Sequence, residues 1–144
     1  MMGKYQHTAC PCGGADFALC CGVYIGQGHP APTAEALMRS RYSAYVLGNE
    51  TYLQATWHPN TRPTDAILGD DSNIKWTRLD VRTHTWKEGA DTAQVEFVAL
   101  YKVQGRAHKL HEVSDFVRED GRWFYVRGIY PESSKEASQH ASRK

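Results

Sequence analysis

Residues 92–103 read Thr92-Ala93-Gln94-Val95-Glu96-Phe97-Val98-Ala99-Leu100-Tyr101-Lys102-Val103. Ala93, Val95, Phe97, Ala99, Tyr101 and Val103 recur at every second position, the period of a strand with one face on a core. The same period runs outward in both directions. Upstream, Ile74–Trp86 alternates, with Leu79, Val81, Thr83 and Thr85 facing one way and Arg78, Asp80, Arg82 and His84 the other. Glu88-Gly89-Ala90-Asp91 supplies the turn between these two segments. Downstream, Gln104-Gly105-Arg106 turns into a third strand over Ala107–Arg118, and Glu119-Asp120-Gly121 signals a hairpin into an aromatic-rich fourth strand, Arg122–Tyr130. Successive strands joined by tight turns predict an antiparallel sheet.

Ahead of the strands the period lengthens to that of a helix. Thr33 can cap a first helix, Glu35 suits the positive end of its dipole, and Leu37, Arg41 or Tyr42, Tyr45 and Val46 follow at helical spacing until Gly48. Asn49 can cap a second helix through Tyr52 and Leu53 to Trp57, stopped by Pro59. Pro63–Leu68 predicts a short third helix, with Gly69 ending it. Helices followed by antiparallel strands make an α+β layout, with helices packed on one face of a curved sheet. Residues 33–130 are enough chain for an independent core. The tail, 132–144, has no apolar anchor and is expected to fray.

The 144 residues carry 17 Lys and Arg against 16 Asp and Glu, a net charge of +1. That balance gives no field for drawing the protein onto nucleic acid or an anionic membrane. Phe17–Ala34, a stretch without charge, is broken by Gly22, Gly26, Gly28, Pro30 and Pro32 and cannot span a bilayer. The N-terminus lacks the basic and apolar regions of a secretory signal, so the expected location is the cytoplasm, where thiols stay reduced. Gly26-Gln27-Gly28 is too short for a nucleotide loop.

All 4 cysteines fall between positions 10 and 21: Cys10-Pro11-Cys12, seven residues, then Cys20-Cys21-Gly22. Rings closed by Cys-x-Cys or Cys-Cys disulfides are strained, and a reducing compartment disfavours them. Zinc accounts for the pattern better. It takes four thiolates tetrahedrally, and two close pairs joined by one short loop bring them together at small entropic cost. Gly13, Gly14 and Gly22 leave room for backbone N–H groups to reach the sulfurs. With Cys10, Cys12, Cys20 and Cys21 all bound, no coordination position is open, so one structural Zn²⁺ per chain is expected. His7 and His29 flank the motif and could replace a cysteine. Residues 1–31 have only Lys4 and Asp16 as charged side chains and little core of their own, so they need such a staple. Removing the metal is expected to loosen them and leave the rest folded.

Cys10-Pro11-Cys12-Gly13 with Cys20-Cys21-Gly22 resembles the SEC-C zinc motif, found at the tail of the SecA translocation ATPase and in small bacterial proteins. It departs in having Gly14 for the usual Ser and a spacer one residue shorter. Residues 31–45 (Ala31 to Tyr45), Tyr52-Leu53, Thr56-Trp57-His58-Pro59, and Arg122-Trp123-Phe124-Tyr125-Val126 with Gly128 resemble the YchJ family. The resemblance runs over residues 8–131. It implies a SEC-C-like zinc knuckle over 1–31 and a cone-shaped nuclear-transport-factor-2-like α+β domain over 32–131. It also implies a protein or ribosome partner for the knuckle, because SecA tails use the related motif that way. Tyr5, Phe17, Val23, Tyr24 and Ile25 would offer apolar contacts, or would pack the knuckle onto the cone. Relatives of the cone often form homodimers through their sheets.

Cones of this type enclose a pocket, and the rival function is a small-molecule carrier or enzyme. Arg41, Tyr42, Tyr45, Trp57, His58 and Glu112 are its candidate residues, with Arg39 and His111 nearby in pattern. Arg41 and Glu112 could form a buried ion pair, with Glu112 as base and His58 as acid. The plainer reading carries more weight: Tyr42, Tyr45 and Trp57 are core aromatics, and Arg39, Arg41 and Glu112 a structural network. No nucleophile–base–orienter set is visible, so the sequence points away from an enzyme. Arg78, Arg82, Lys102, Arg106 and Lys109, with Trp76 and Trp86 between them, would make a nucleic-acid surface only if they gathered on one face; Asp80, Glu88, Glu96 and Glu112 dilute them.

Overall fold

The computed structural model describes residues 8–68 and 73–131. Tyr5, His7, Gly69 and the expected tail over 132–144 lie outside the described residues. After a short 3-10 turn at Phe17–Leu19 come α1 (Cys21–Ile25), α2 (Ala34–Leu47) and α3 (Glu50–Ala55). They precede β1 (Ile74–Thr85), β2 (Thr92–Val103), β3 (Arg106–Glu119) and β4 (Arg122–Ile129). The strands form one antiparallel sheet in the order β1-β2-β3-β4, with helices on its inner face, the α+β fold expected.

Local chemistry explains the boundaries. Thr33 Oγ1 accepts the Ala36 N–H at 3.0 Å and starts α2. Gly48, at φ +72°, ends it in the left-handed conformation that a side chain disfavours. Asn49 Oδ1 then accepts the Tyr52 N–H at 2.9 Å and starts α3. The β2–β3 and β3–β4 turns each use two residues of positive φ, Gln104-Gly105 and Asp120-Gly121, as tight antiparallel hairpins require.

In β2 the expected face is the core: Ala93, Val95, Phe97 and Ala99 are buried with Phe116 and Trp123 of the sheet and Leu37, Met38 and Tyr42 of α2, and the buried Tyr101 packs on Trp76. In β1 the alternation is corrected. Register shifts between Trp76 and Arg78 and between Val81 and Thr83 break the period of two. Each shift moves the later residues to the opposite face, so Trp76, Leu79, Val81 and His84 turn inward while Thr83 and Thr85 are exposed.

α3 stops at Ala55, before the expected Trp57, because the chain straightens to pair with β4. Trp57 bridges Tyr125, His58 N–H donates to the Tyr125 carbonyl at 2.8 Å, and Tyr125 N–H donates to Thr56 at 2.9 Å. The helix expected over 63–68 does not form, because its amides are taken elsewhere. Ile67 N–H and Leu68 N–H donate to the Glu50 carboxylate at 2.8 and 2.9 Å. The Ile67 amide, then the Gln54 side chain and the Leu68 amide, hold the Glu50 carboxyl below its ordinary value. A depressed carboxyl stabilises above its unfolded value and loses that contribution as pH falls through the folded one. Glu50→Ala is therefore expected to speed amide exchange at Ile67 and Leu68 about tenfold at neutral pH, while exchange in β2 is unchanged. Equal exchange in both proteins would remove Glu50 from this role.

Candidate functional site

Cys10 and Cys12 lie on a turn closed by Gly13 N–H to the Cys10 carbonyl and by Cys10 N–H to the Gly14 carbonyl, both at 2.9 Å. Cys20 and Cys21 open α1. The four Sγ atoms lie within 4.8 Å of one another, with Cys12 and Cys20 at 3.6 Å, and none forms a disulfide. A tetrahedral ion with bonds of about 2.3 Å needs sulfurs about 3.8 Å apart, so the cluster fits one metal ion. Gly14 is a cradle in the strict sense: a Cβ there would sit 2.7 Å from Cys20 Sγ. Its N–H also reaches Cys12, as expected for a glycine beside thiolates.

Hydrogen bonding from Cys21, against burial and with help from the Gly14 amide, holds the Cys12 thiol down at about 5. Burial, then Cys12, pushes Cys20 up to about 11, and Cys12 with burial pushes Cys21 higher still. The four sulfurs form a donor set that a cation would complete by displacing protons. His29 is exposed and not among the clustered ligands. The cluster rests directly on α2. Cys10 Sγ meets Ser43 Oγ at 3.5 Å, and Arg39, paired with Glu35, donates to the Cys12 carbonyl at 3.2 Å. Phe17, Tyr24 and Ile25 pack against the same core, whereas Leu19 remains 79% exposed.

The opposite side of α2 faces a cavity of about 180 Å³ between helix and sheet. Met38, Arg41, Tyr42 and Tyr45, one helical stripe, form one wall. Leu110, Glu112, Ser114 and Phe116, alternate residues of β3, form another, and Trp57, Trp76, Tyr125 and Tyr130 help to close it. Arg41, 5% exposed, donates from Nη1 to the Leu53 carbonyl at 2.9 Å and to Thr56 Oγ1 at 2.7 Å. Its guanidinium lies 4.6 Å from the Tyr125 ring centre and 5.3 Å from that of Trp57, a cation–π arrangement. Desolvation lowers Arg41 from its ordinary value, opposed by Tyr45, Tyr125 and Glu112.

Glu112, 6% exposed, accepts at Oε2 from Ser114 Oγ at 2.8 Å and from Tyr125 Oη at 2.9 Å. Gly128 of β4 makes room for this carboxylate, because a Cβ there would collide with it. Burial, then Glu112, pushes the Tyr125 phenol far up, so it remains a donor. Burial likewise lifts Tyr42 and Tyr130 to about 12.

Five candidate residues, Arg41, Tyr42, Tyr45, Trp57 and Glu112, therefore surround one cavity. His58 lies outside it. Its Nδ1 accepts the Asn60 N–H at 3.1 Å, which leaves the proton on Nε2, 2.9 Å from Glu119 Oε2. The residue ties the exit of α3 to β4 and is no acid partner for Glu112. His111 is on the outer face with Glu96, at 2.7 Å, and Arg39 is at the cysteine cluster. Trp76 and Trp86 are partly buried and pack toward the core rather than out among the surface arginines. Sequence reasoning missed Ser114, Tyr125, Tyr130 and Gly128. The period of two through Leu110, Glu112, Ser114 and Phe116 was the available signal for the first of these.

The YchJ middle NTF2-like domain model matches residues 33–128. A UPF0225 protein of Chromobacterium violaceum is 55% identical over 129 residues, covering 88% of this chain and 96% of that one. A UPF0225 protein of Methylibium petroleiphilum is 52% identical over 125 residues, covering 87% and 90%. Among solved structures, a SEC-C motif containing protein from Rhodopseudomonas palustris superposes with TM-score 0.78 at 29% identity, over 87% of this chain and 100% of that one. Another, from Psychrobacter arcticus, gives 0.70 at 30% identity, over 88% and 83%. This chain joins a four-cysteine cluster to helices on a four-stranded antiparallel sheet, and it belongs to the UPF0225 family with a YchJ-type NTF2-like domain.

Proposed function

We propose that this protein is a small-molecule-binding module whose cone is braced by one structural zinc ion on Cys10, Cys12, Cys20 and Cys21. The cavity carries the reading. It is not filled by Tyr42, Tyr45 and Trp57, and it brings a buried arginine and a buried carboxylate to one apolar space. Buried charged groups around a pocket are the usual mark of a recognition site. The four-cysteine donor set favours zinc over harder ions, and it leaves no open position for chemistry at the metal. Among the described residues, no helix is long and apolar enough to cross a membrane.

The test is a fragment screen followed by NMR at the indole N–H signals of Trp57 and Trp76. Several single-ring fragments are expected to shift both, and Leu110→Trp, which fills the cavity, is expected to abolish the shifts. A screen in which no fragment moves either signal would end the ligand reading. Metal analysis should return one zinc per chain.

A second reading has an observation of its own: Leu19 stands exposed on the cysteine-held turn while Phe17 and Cys20 pack against the core. That favours a protein or ribosome contact in the cytoplasm. Leu19→Asp should then remove specific partners from a pull-down that the zinc-loaded wild type retains; identical partner sets would set this reading aside.

A further inference from the structure

We infer that the cavity selects an electrically neutral single-ring molecule whose edge presents an N–H donor beside a C=O acceptor, a carboxamide or lactam, over acids and amines of the same size. The inference rests on the ligand reading above and specifies the class of ligand.

Size comes first. Apolar cavities of about 150 Å³ take up benzene, so the 180 Å³ here admits one ring with one small substituent. Charge comes second. Arg41 and Glu112 both face the cavity and interact electrostatically, so the wall is balanced before any ligand enters. A carboxylate ligand would place a second negative charge beside Glu112, and an ammonium a second positive charge beside Arg41. In a desolvated space either one leaves a net buried charge, which is costly. The phenols do not compensate, because burial keeps Tyr42, Tyr125 and Tyr130 neutral.

The aromatic walls do not rescue a cationic ligand either. The cation site on Tyr125 and Trp57 is already taken by the guanidinium of Arg41. Trp76, which carries no cation and packs tilted against Tyr45 at 5.8 Å, offers the cavity an aromatic surface suited to a neutral ring.

Hydrogen bonding comes third. Tyr125 links the two charges: its face carries Arg41 and its hydroxyl donates to Glu112. Donor and acceptor thus stand on either side of one phenol ring. Arg41 has five N–H groups, of which Nη1 supplies those to Leu53 and Thr56 and another bonds the Tyr45 side chain. A ligand edge with C=O toward Arg41 and N–H toward Glu112 complements a wall that carries both groups. A purely apolar ring leaves both charges without that contact.

The experiment titrates zinc-loaded wild-type protein at pH 7 with benzamide, benzoate, benzylamine and toluene, read at the Trp57 and Trp76 indole signals. Benzamide is expected to bind at least tenfold more tightly than each of the others. A charged probe that binds as tightly would overturn neutral selection, and toluene binding as tightly would overturn the donor–acceptor edge; both leave the ligand reading standing. If none of the four shifts the indoles, the ligand reading falls as well. Glu112→Gln leaves Arg41 unopposed and is expected to move the benzoate-to-benzamide preference at least tenfold toward benzoate. An unchanged order in that variant would overturn the charge-balance argument, and the wild-type titration decides the proposal independently of how well the variant folds.

Discussion

Stripping the metal with a chelator under reducing conditions is expected to lower the midpoint of thermal unfolding by about 10 °C. The reason lies in where the cysteines sit. Cys10, Cys12 and Cys21 are buried and belong to the same cluster as Leu37, Met38 and Tyr42 of α2. Structural zinc contributes folding free energy directly in small metal-held units. Most of it is spent on ordering residues 8–31, whose own apolar burial is slight. If about 3 kcal/mol reaches the cone through α2, a chain of this size loses roughly 10 °C. Amide exchange should show the same partition, with protection lost throughout α1, reduced in α2 and retained in β2 and β3. Cys20→Ser offers a cleaner lesion, because Cys20 is the least buried of the four ligands. It removes one thiolate with the smallest loss of packing. A chelated protein that melts within 2 °C of the loaded one, with α1 still protected, would show that the knuckle holds without metal.

Replacing Arg41 with Met is expected to cost about 3–5 kcal/mol, the range for removing one partner from a buried charge interaction. The change deletes the donors to Leu53 and Thr56, strips the cation from the faces of Trp57 and Tyr125, and removes a positive charge that interacts with the buried Glu112. The double variant Arg41→Met with Glu112→Gln should be less destabilised than the sum of the two single variants, because both lose the same Arg41–Glu112 interaction. Urea denaturation of the four proteins measures this. Additive effects would mean that the two groups act independently, and the balanced-charge picture of the cavity would lose its basis.

The hairpins and caps were legible because their causes are local. Asp120-Gly121 and Gln104-Gly105 favour positive φ by their own chemistry, and Thr33 and Asn49 reach amides three residues ahead. The gathering of the four cysteines was legible for a related reason: they sit within twelve positions, so little besides the loop decides whether they meet. His84 was not, because two bulges, set by pairing with β2, decide which way it faces. The segment 63–68 has the composition of a helix start, yet a carboxylate on another element takes its amides.

The sequence by itself thus determined the two main helices, the order of the four strands, the tight turns between them and the clustering of four thiols, all governed by neighbours a few residues apart. Only the tertiary structure decided that His58 leaves the cavity for Glu119, that Arg41 and Glu112 face the same space across Tyr125, and that this space stays open. Those outcomes depend on packing and register between distant segments, where a shift of one residue moves a side chain from one face of the sheet to the other.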